Sequence, residues 1–279
     1  MAVSAARAGA AFFDLDRTLM QGSSAYQFGR AAYRAGLLGR RQLLADAVAN
    51  ILFRLRGATD ADTLALRERI AASLEGKREV DLQRLGPSVL SGILPRVYPQ
   101  MLALAHEHQD AGRPAYIVTA ASQGLATILA QVMCFDGGIG SEISEVVDGV
   151  FTGRPTGVFV YRTGKAVAIE DLAARRGIDL AASYAYSDSE SDLPMLEAVG
   201  HPVAVNPDDT LARIARERGW DILRFDRLGR RLKTAAALGA AAGTGAVGSI
   251  VLARQVRPDR AARGLWDAAR PARRGRAAM

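Results

Sequence analysis

Hydrophobic and polar positions follow two rhythms along the chain. Ala10-Ala11-Phe12-Phe13 is a short unbroken apolar run that ends in Asp14-Leu15-Asp16, the pattern of a strand buried on both faces with polar chemistry at its carboxyl end. From about Gly22 to Gly92 the rhythm becomes helical. Leu43, Leu44, Ala47, Val48, Ile51 and Leu52, then Leu64, Leu66, Ile70 and Leu74, recur mostly three or four apart in a stretch rich in Ala, Leu and Arg. This predicts an all-helical insert. The strand rhythm then returns: a helix over 99–109 leads through Gly112 and Pro114 to the apolar run 115–118, which ends at Thr119. The runs 183–186, ending at Ser187-Asp188, and 203–205 predict further strands. Helices are predicted over 165–176, stopped by Gly177, over 193–199 and over 211–218. Val146–Phe151, Gly153 and the run 158–161 predict a β-hairpin with glycine-bearing turns.

Strands alternating with helices, and polar residues at strand ends, predict an α/β fold. Its core is a doubly wound, Rossmann-like parallel sheet over 10–20 and 94–228, with the all-helical cap inserted over 21–93. Residues 229–279 follow as a separate tail. The 279 residues are 49% apolar and 23% charged, enough for a sizeable core, which excludes disordered and disulfide-stapled classes. The single cysteine, Cys134, cannot form an internal disulfide and reads as a core residue; with no export signal visible, a cytoplasmic protein is expected.

The net charge of +7 changes meaning once located. Eight arginines against two aspartates in 254–279 hold six of the seven charges, so the folded part is nearly neutral and no specific nucleic-acid binding is expected. Residues 234–253 form a 20-residue stretch without a charge, long enough for a bilayer but composed mostly of Ala and Gly. Membrane association through 234–253 and an ordinary soluble tail both remain open.

Chemistry concentrates at the strand ends. Asp14 and Asp16, followed by Thr18, form D-x-D-x-T; taken alone such a pair reads either as turn or helix-capping acids or as carboxylates that call for a compensating cation or proton. Asp188 and Asp192 form a second acidic pair after the run 183–186, where a turn entering a helix can direct both toward one cation. Thr119 offers a hydroxyl beside amides near a helix start, a cradle suited to phosphate. Lys165 opens a helix, where the dipole disfavours a cation, so an anionic neighbour explains it better than helix stability does.

These four motifs, in this order, resemble those of the haloacid dehalogenase superfamily, in its phosphoserine-phosphatase-like branch (subfamily IB, with a C1-type helical cap). The resemblance spans about residues 10–225. It implies that Asp14 is a nucleophile forming an aspartyl-phosphate, and that Asp16 is the general acid and base. Mg2+ would be held by the Asp14 carboxylate, the Asp16 backbone carbonyl and Asp188, with Asp192 supporting the metal through water or holding Lys165. Thr119 and Lys165 would bind the phosphoryl oxygens of a small phosphorylated substrate. One departure bears on that substrate: phosphoserine phosphatases place a glutamate nine residues after the nucleophile, where Ser23 stands here, so phosphoserine is doubtful. The alternative is a non-catalytic regulatory or membrane-associated protein on the same fold.

Other polar residues have plainer readings. Arg17 reads as pointing to solvent rather than to a substrate anion. His106 and His108 lie two apart on a predicted helix, on different faces, and read as solvated. His201 reads as structural. The cap arginines Arg54, Arg56, Arg67 and Arg69 include candidate contacts for an anionic substrate on what is otherwise a solvated face.

Overall fold

The computed structural model describes residues 8–37, 39 and 60–225. Strand β1 (Ala11–Asp14) is followed by helix α1 (Ser24–Arg34) and then by α2 (Asp60–Leu74), α3 (Glu79–Gln83) and α4 (Gly86–Ile93). The strand and helix alternation resumes with α5 (Pro99–Asp110), β2 (Ala115–Ser122), α6 (Gln123–Val132) and β3 (Gly137–Ser141). The small strands β4 (Val146–Val147) and β5 (Val150–Phe151) form a hairpin. Helix α7 (Thr163–Arg176), β6 (Tyr184–Ser187), α8 (Leu193–Glu197), β7 (His201–Val205), α9 (Asp209–Glu217) and β8 (Asp221–Leu223) complete the described chain.

Among the described residues β1, β2, β3, β6, β7 and β8 form one parallel sheet in the order β3-β2-β1-β6-β7-β8. The expected doubly wound parallel core is present. The order reverses at β1, flanked by β2 on one side and β6 on the other, so the crevice beyond their carboxyl ends is where such sheets bind ligands. Alternation along β1 explains the two core layers. Phe13 packs with Tyr186, Phe135 and Met101 on one face, while Ala10 and Phe12 pack with Tyr116, Ile169 and Met195 on the other. Both faces are covered, which is why β1 is a continuous apolar run.

The described part of the insert between β1 and α5 is helical, as its spacing predicts. It returns to the core through backbone bonds from Gln21 N–H to the Arg96 carbonyl and from Tyr98 N–H to the Leu19 carbonyl. Residues 76–79 also lie along β5, with Phe151 N–H on the Lys77 carbonyl and Glu79 N–H on the Gly149 carbonyl. The insert is thereby tied to the core at a second place.

Several local expectations are corrected. The hairpin is confined to β4 and β5, and 158–161 is irregular, with Val160 N–H held by the Ser141 hydroxyl. His108 is buried rather than solvated: its Nδ1 accepts from Arg113 and its Nε2 meets the Tyr186 hydroxyl at 2.7 Å. Cys134 is exposed, in the left-handed turn (φ 59°) that ends α6, because neighbouring Met133 and Phe135 fill the core there. His201 stacks on Tyr184, consistent with a structural role. The apolar spacing from Leu43 to Leu52, Arg54, Arg56 and the tail with its 234–253 segment lie outside the described residues. Among the described residues no helix is long and apolar enough to cross a membrane.

Candidate active site

The site is assembled from three neighbouring strand ends. Asp14 closes β1 and is in register with Val118 of β2, so Thr119 is the next residue of the adjacent strand. Ser187 closes β6 on the other side, immediately before Asp188. Asp14 is two residues on from Phe12 and belongs to the sheet face that α7 covers. That helix carries Lys165 in its first turn.

The approach of α7 depends on Gly164. A Cβ at this position would lie 1.9 Å from the Phe159 carbonyl oxygen, so only glycine lets the loop close as it does. Lys165 Nζ then donates to Asp14 Oδ1 at 2.5 Å and to Asp192 Oδ2 at 2.7 Å. Asp192 Oδ2 also accepts from the Ser187 hydroxyl at 2.6 Å. All four side chains are buried, and Asp14, Lys165 and Asp192 are each 5% exposed or less. Of the two roles implied for Asp192, holding Lys165 is the one this contact supports.

Asp16 is placed differently. Its carboxylate turns to the start of α1, where Ser24 N–H donates to Oδ1 at 2.8 Å and the Ser23 hydroxyl lies 3.1 Å from Oδ2. Ser23 occupies the N-cap position of α1 but makes no side-chain cap bond; its hydroxyl goes to Asp16 instead. Asp188 is buried and paired with Arg17, whose Nε and one terminal nitrogen both reach Oδ2. Arg17 therefore does not simply point to solvent. The left-handed turn at this residue (φ 62°) brings its half-exposed side chain back across the site. Thr119 is buried, with its hydroxyl accepting from Ala121 N–H at 3.2 Å. One terminal nitrogen of Arg67 donates to the carbonyls of Thr156 and Gly157, so this arginine is tied to the segment before α7 rather than lying free on a solvated face.

The electrostatics follow from burial. Removal from water raises Asp14 well above the ordinary carboxylate range; Lys165 opposes this, while Asp192, Asp188 and Asp16 add to it. Burial would lower Lys165, but Asp14 and Asp192 outweigh it and raise it above its ordinary value. Burial pushes Asp188 up to about 6 against the pull of Arg17. Four carboxylates thus face two cations, Lys165 and Arg17, and the imbalance is what a divalent cation would correct. Oxygen donors alone suit a hard ion such as Mg2+. Among the described residues no three His, Cys, Asp or Glu side chains converge on one point. The buried carboxylates that could serve such an ion are those of Asp14 and Asp188, with the Asp16 backbone carbonyl as the resemblance implies; the Asp16 carboxylate faces Ser23 and Ser24.

The contacts of Arg17, Ser23, Ser24 and Ser187 had no distinct sequence signal. Of the expected residues, Lys165 joins Asp14 and Asp192 directly, Asp16 and Asp188 stand just past the ends of β1 and β6, and Thr119 lies within β2, which continues to Ser122, one position past the partner of Asp14.

Comparison with known proteins places this arrangement. A sequence model of the haloacid dehalogenase-like hydrolases matches residues 11–197. The chain is 39% identical over 252 residues to phosphoserine phosphatase SerB1 of Mycobacterium tuberculosis, covering 89% of this chain and 82% of that one. It is 29% identical over 218 residues to a histidinol-phosphatase of Neisseria meningitidis, covering 77% and 98%. A solved structure of a Bordetella pertussis protein of unknown function is 30% identical with a TM-score of 0.68, over 78% of this chain and 98% of that one. A phosphoserine phosphatase solved as an analogue of its phospho-aspartyl intermediate shares the fold at 18% identity and a TM-score of 0.56, over 82% and 99%. With its motifs gathered at the switch point of a parallel sheet, this chain belongs to the haloacid dehalogenase-like hydrolases, as a phosphatase of their phosphoserine-phosphatase-like branch.

Proposed function

We propose that the protein is a Mg2+-dependent phosphomonoester hydrolase acting on a small phosphorylated metabolite through an aspartyl-phosphate on Asp14. The observation that carries this reading is the buried Lys165 ammonium bridging Asp14 and Asp192 at the end of β1. Buried contacts of this kind fix a nucleophile in place with a cation beside it, ready for a phosphoryl group. A bound Mg2+ would neutralise charge on the transferring phosphoryl group. Asp14 attacks phosphorus and the ester oxygen leaves; Lys165 and Thr119 bind the phosphoryl oxygens. Asp16 gives its proton to the leaving oxygen, then takes one from the water that hydrolyses the aspartyl-phosphate.

The partners of Asp16 suit this double role. Ser24 N–H can only donate, so Oδ1 stays an acceptor throughout. The Ser23 hydroxyl can donate or accept, so it can serve Oδ2 with or without the transferable proton. With its hydroxyl so engaged, Ser23 brings no negative charge to meet a substrate ammonium, which argues against phosphoserine as the natural substrate. The division into a core over 10–20 and 94–228, a cap over 21–93 and a tail over 229–279 belongs to the same proposal.

The test is phosphate release from an aryl phosphate and from a panel of phosphorylated metabolites, with and without Mg2+, for the native protein beside Asp14→Asn. Turnover that needs Mg2+ and vanishes in the variant is expected. Absence of turnover on every substrate, with Mg2+ saturating, overturns the catalytic reading in favour of a regulatory protein on the same fold.

A further inference from the structure

We propose that Arg17 is a positioning residue for the metal-binding carboxylate Asp188: it holds Oδ2 and thereby presents Oδ1 as the ligand oxygen. The proposal rests on the Mg2+ reading above and adds a residue to it. Three observations carry it. First, Nε and a terminal nitrogen of Arg17 both reach the one oxygen Oδ2, and no described group hydrogen-bonds Oδ1. Second, the pair joins the turn after β1 to the turn after β6, 171 positions apart in sequence, so it ties together the two turns that leave already paired strands. Third, the backbone carbonyl of Asp188 is itself fixed by Asp208 N–H at 2.9 Å, and Asp208 caps α9 through Leu211 N–H at 2.8 Å. With its main chain anchored to α9 and one oxygen anchored to Arg17, Asp188 retains little freedom except at Oδ1.

The turn geometry sets where this side chain goes. Arg17 has φ 62°, a conformation that glycine adopts at no steric cost and that a long side chain normally avoids. That turn is nonetheless occupied by an arginine whose guanidinium crosses to Asp188. A partner that orients a metal-ligating carboxylate contributes to affinity through geometry, and losing such a partner costs about 10- to 100-fold in metal affinity.

The experiment measures Mg2+ binding to the full chain by titration calorimetry, without substrate, for the native protein, Arg17→Gly, Arg17→Gln and Arg17→Lys. Arg17→Gly relieves the left-handed backbone, so it is expected to fold; unfolding in chelator checks this, and Arg17→Gln serves should it fail. The expected result is a dissociation constant raised about 10-fold or more in Arg17→Gly and Arg17→Gln, with part of the loss recovered in Arg17→Lys. An unchanged constant, or tighter binding because a competing cation has gone, overturns the role of Arg17 while leaving the phosphatase reading intact. Absence of Mg2+ binding by the native protein overturns the Mg2+ reading and this inference together.

Discussion

Lys165 offers the sharpest test of how the site is held together. It is 3% exposed and donates to Asp14 at 2.5 Å and to Asp192 at 2.7 Å. Replacing it by Met keeps much of the volume but leaves two buried carboxylates without their cation. An exposed ion pair of the same geometry would contribute at most about 1 kcal/mol, whereas breaking a buried pair from one side costs about 3–5 kcal/mol because a charge is stranded. The larger figure is expected here, read from urea unfolding in chelator above pH 8, the value to which burial lifts the Asp14 carboxyl with Lys165 in place. The two carboxylates differ in what remains to them: Asp192 keeps the Ser187 hydroxyl at 2.6 Å, while Lys165 is the only side chain among the described residues that hydrogen-bonds Asp14. Adding Asp14→Asn to Lys165→Met should therefore recover more than half of the loss. The deficit should also shrink as pH falls through about 8, because burial already lifts the Asp14 carboxyl that far with Lys165 in place and a proton there removes the stranded charge. A loss below about 1 kcal/mol, or a double variant no more stable than the single one, would refute the reasoning that the charge rather than the packing is at stake.

Two further outcomes follow from the geometry. Gly164→Ala must displace either the Phe159 carbonyl or the first turn of α7, since the added Cβ would sit 1.9 Å from that oxygen. The variant should lose about 1–3 kcal/mol of stability and, through a shifted Lys165, roughly a hundredfold in kcat, measured by thermal unfolding and phosphate release. His108 gives a pH prediction remote from the chemistry: burial, with Arg113 assisting, lowers its pKa from 6.5 to about 3. Its folded value lies below its unfolded one, so the unfolded chain binds the extra proton and stability falls as pH drops from 6.5 toward 3. The slope should approach about 1.4 kcal/mol per pH unit, and His108→Gln should remove that component from urea unfolding at pH 7, 6 and 5.

Much of this protein was legible before folding was considered. The continuous apolar run of β1 specifies a strand covered on both faces, and carboxylates just past its end specify where the chemistry sits, because both signals are local. The four ordered motifs singled out Asp14, Asp16, Thr119, Lys165, Asp188 and Asp192 as candidates, each motif being local and their order resembling the family's. The helical spacing of the insert was equally plain in its described part. What sequence did not disclose was anything set by approach between distant segments. Strand β3, Gly137–Ser141, has almost no strand-forming side chains; it exists because glycine permits contact with α6, where a Cβ at Gly138 would lie 2.2 Å from the Ala126 carbonyl. Arg17 read as a solvated arginine because its partner lies 171 positions away and is reached only through a left-handed turn. His108 read as a surface histidine because nothing nearby in sequence announces Tyr186, and Cys134 read as core because the turn that exposes it depends on how Met133 and Phe135 pack. Local patterning thus determined the elements and marked the candidate groups. Tertiary structure alone decided which charges share a partner, because burial and distance, on which those energies depend, are properties of the folded chain.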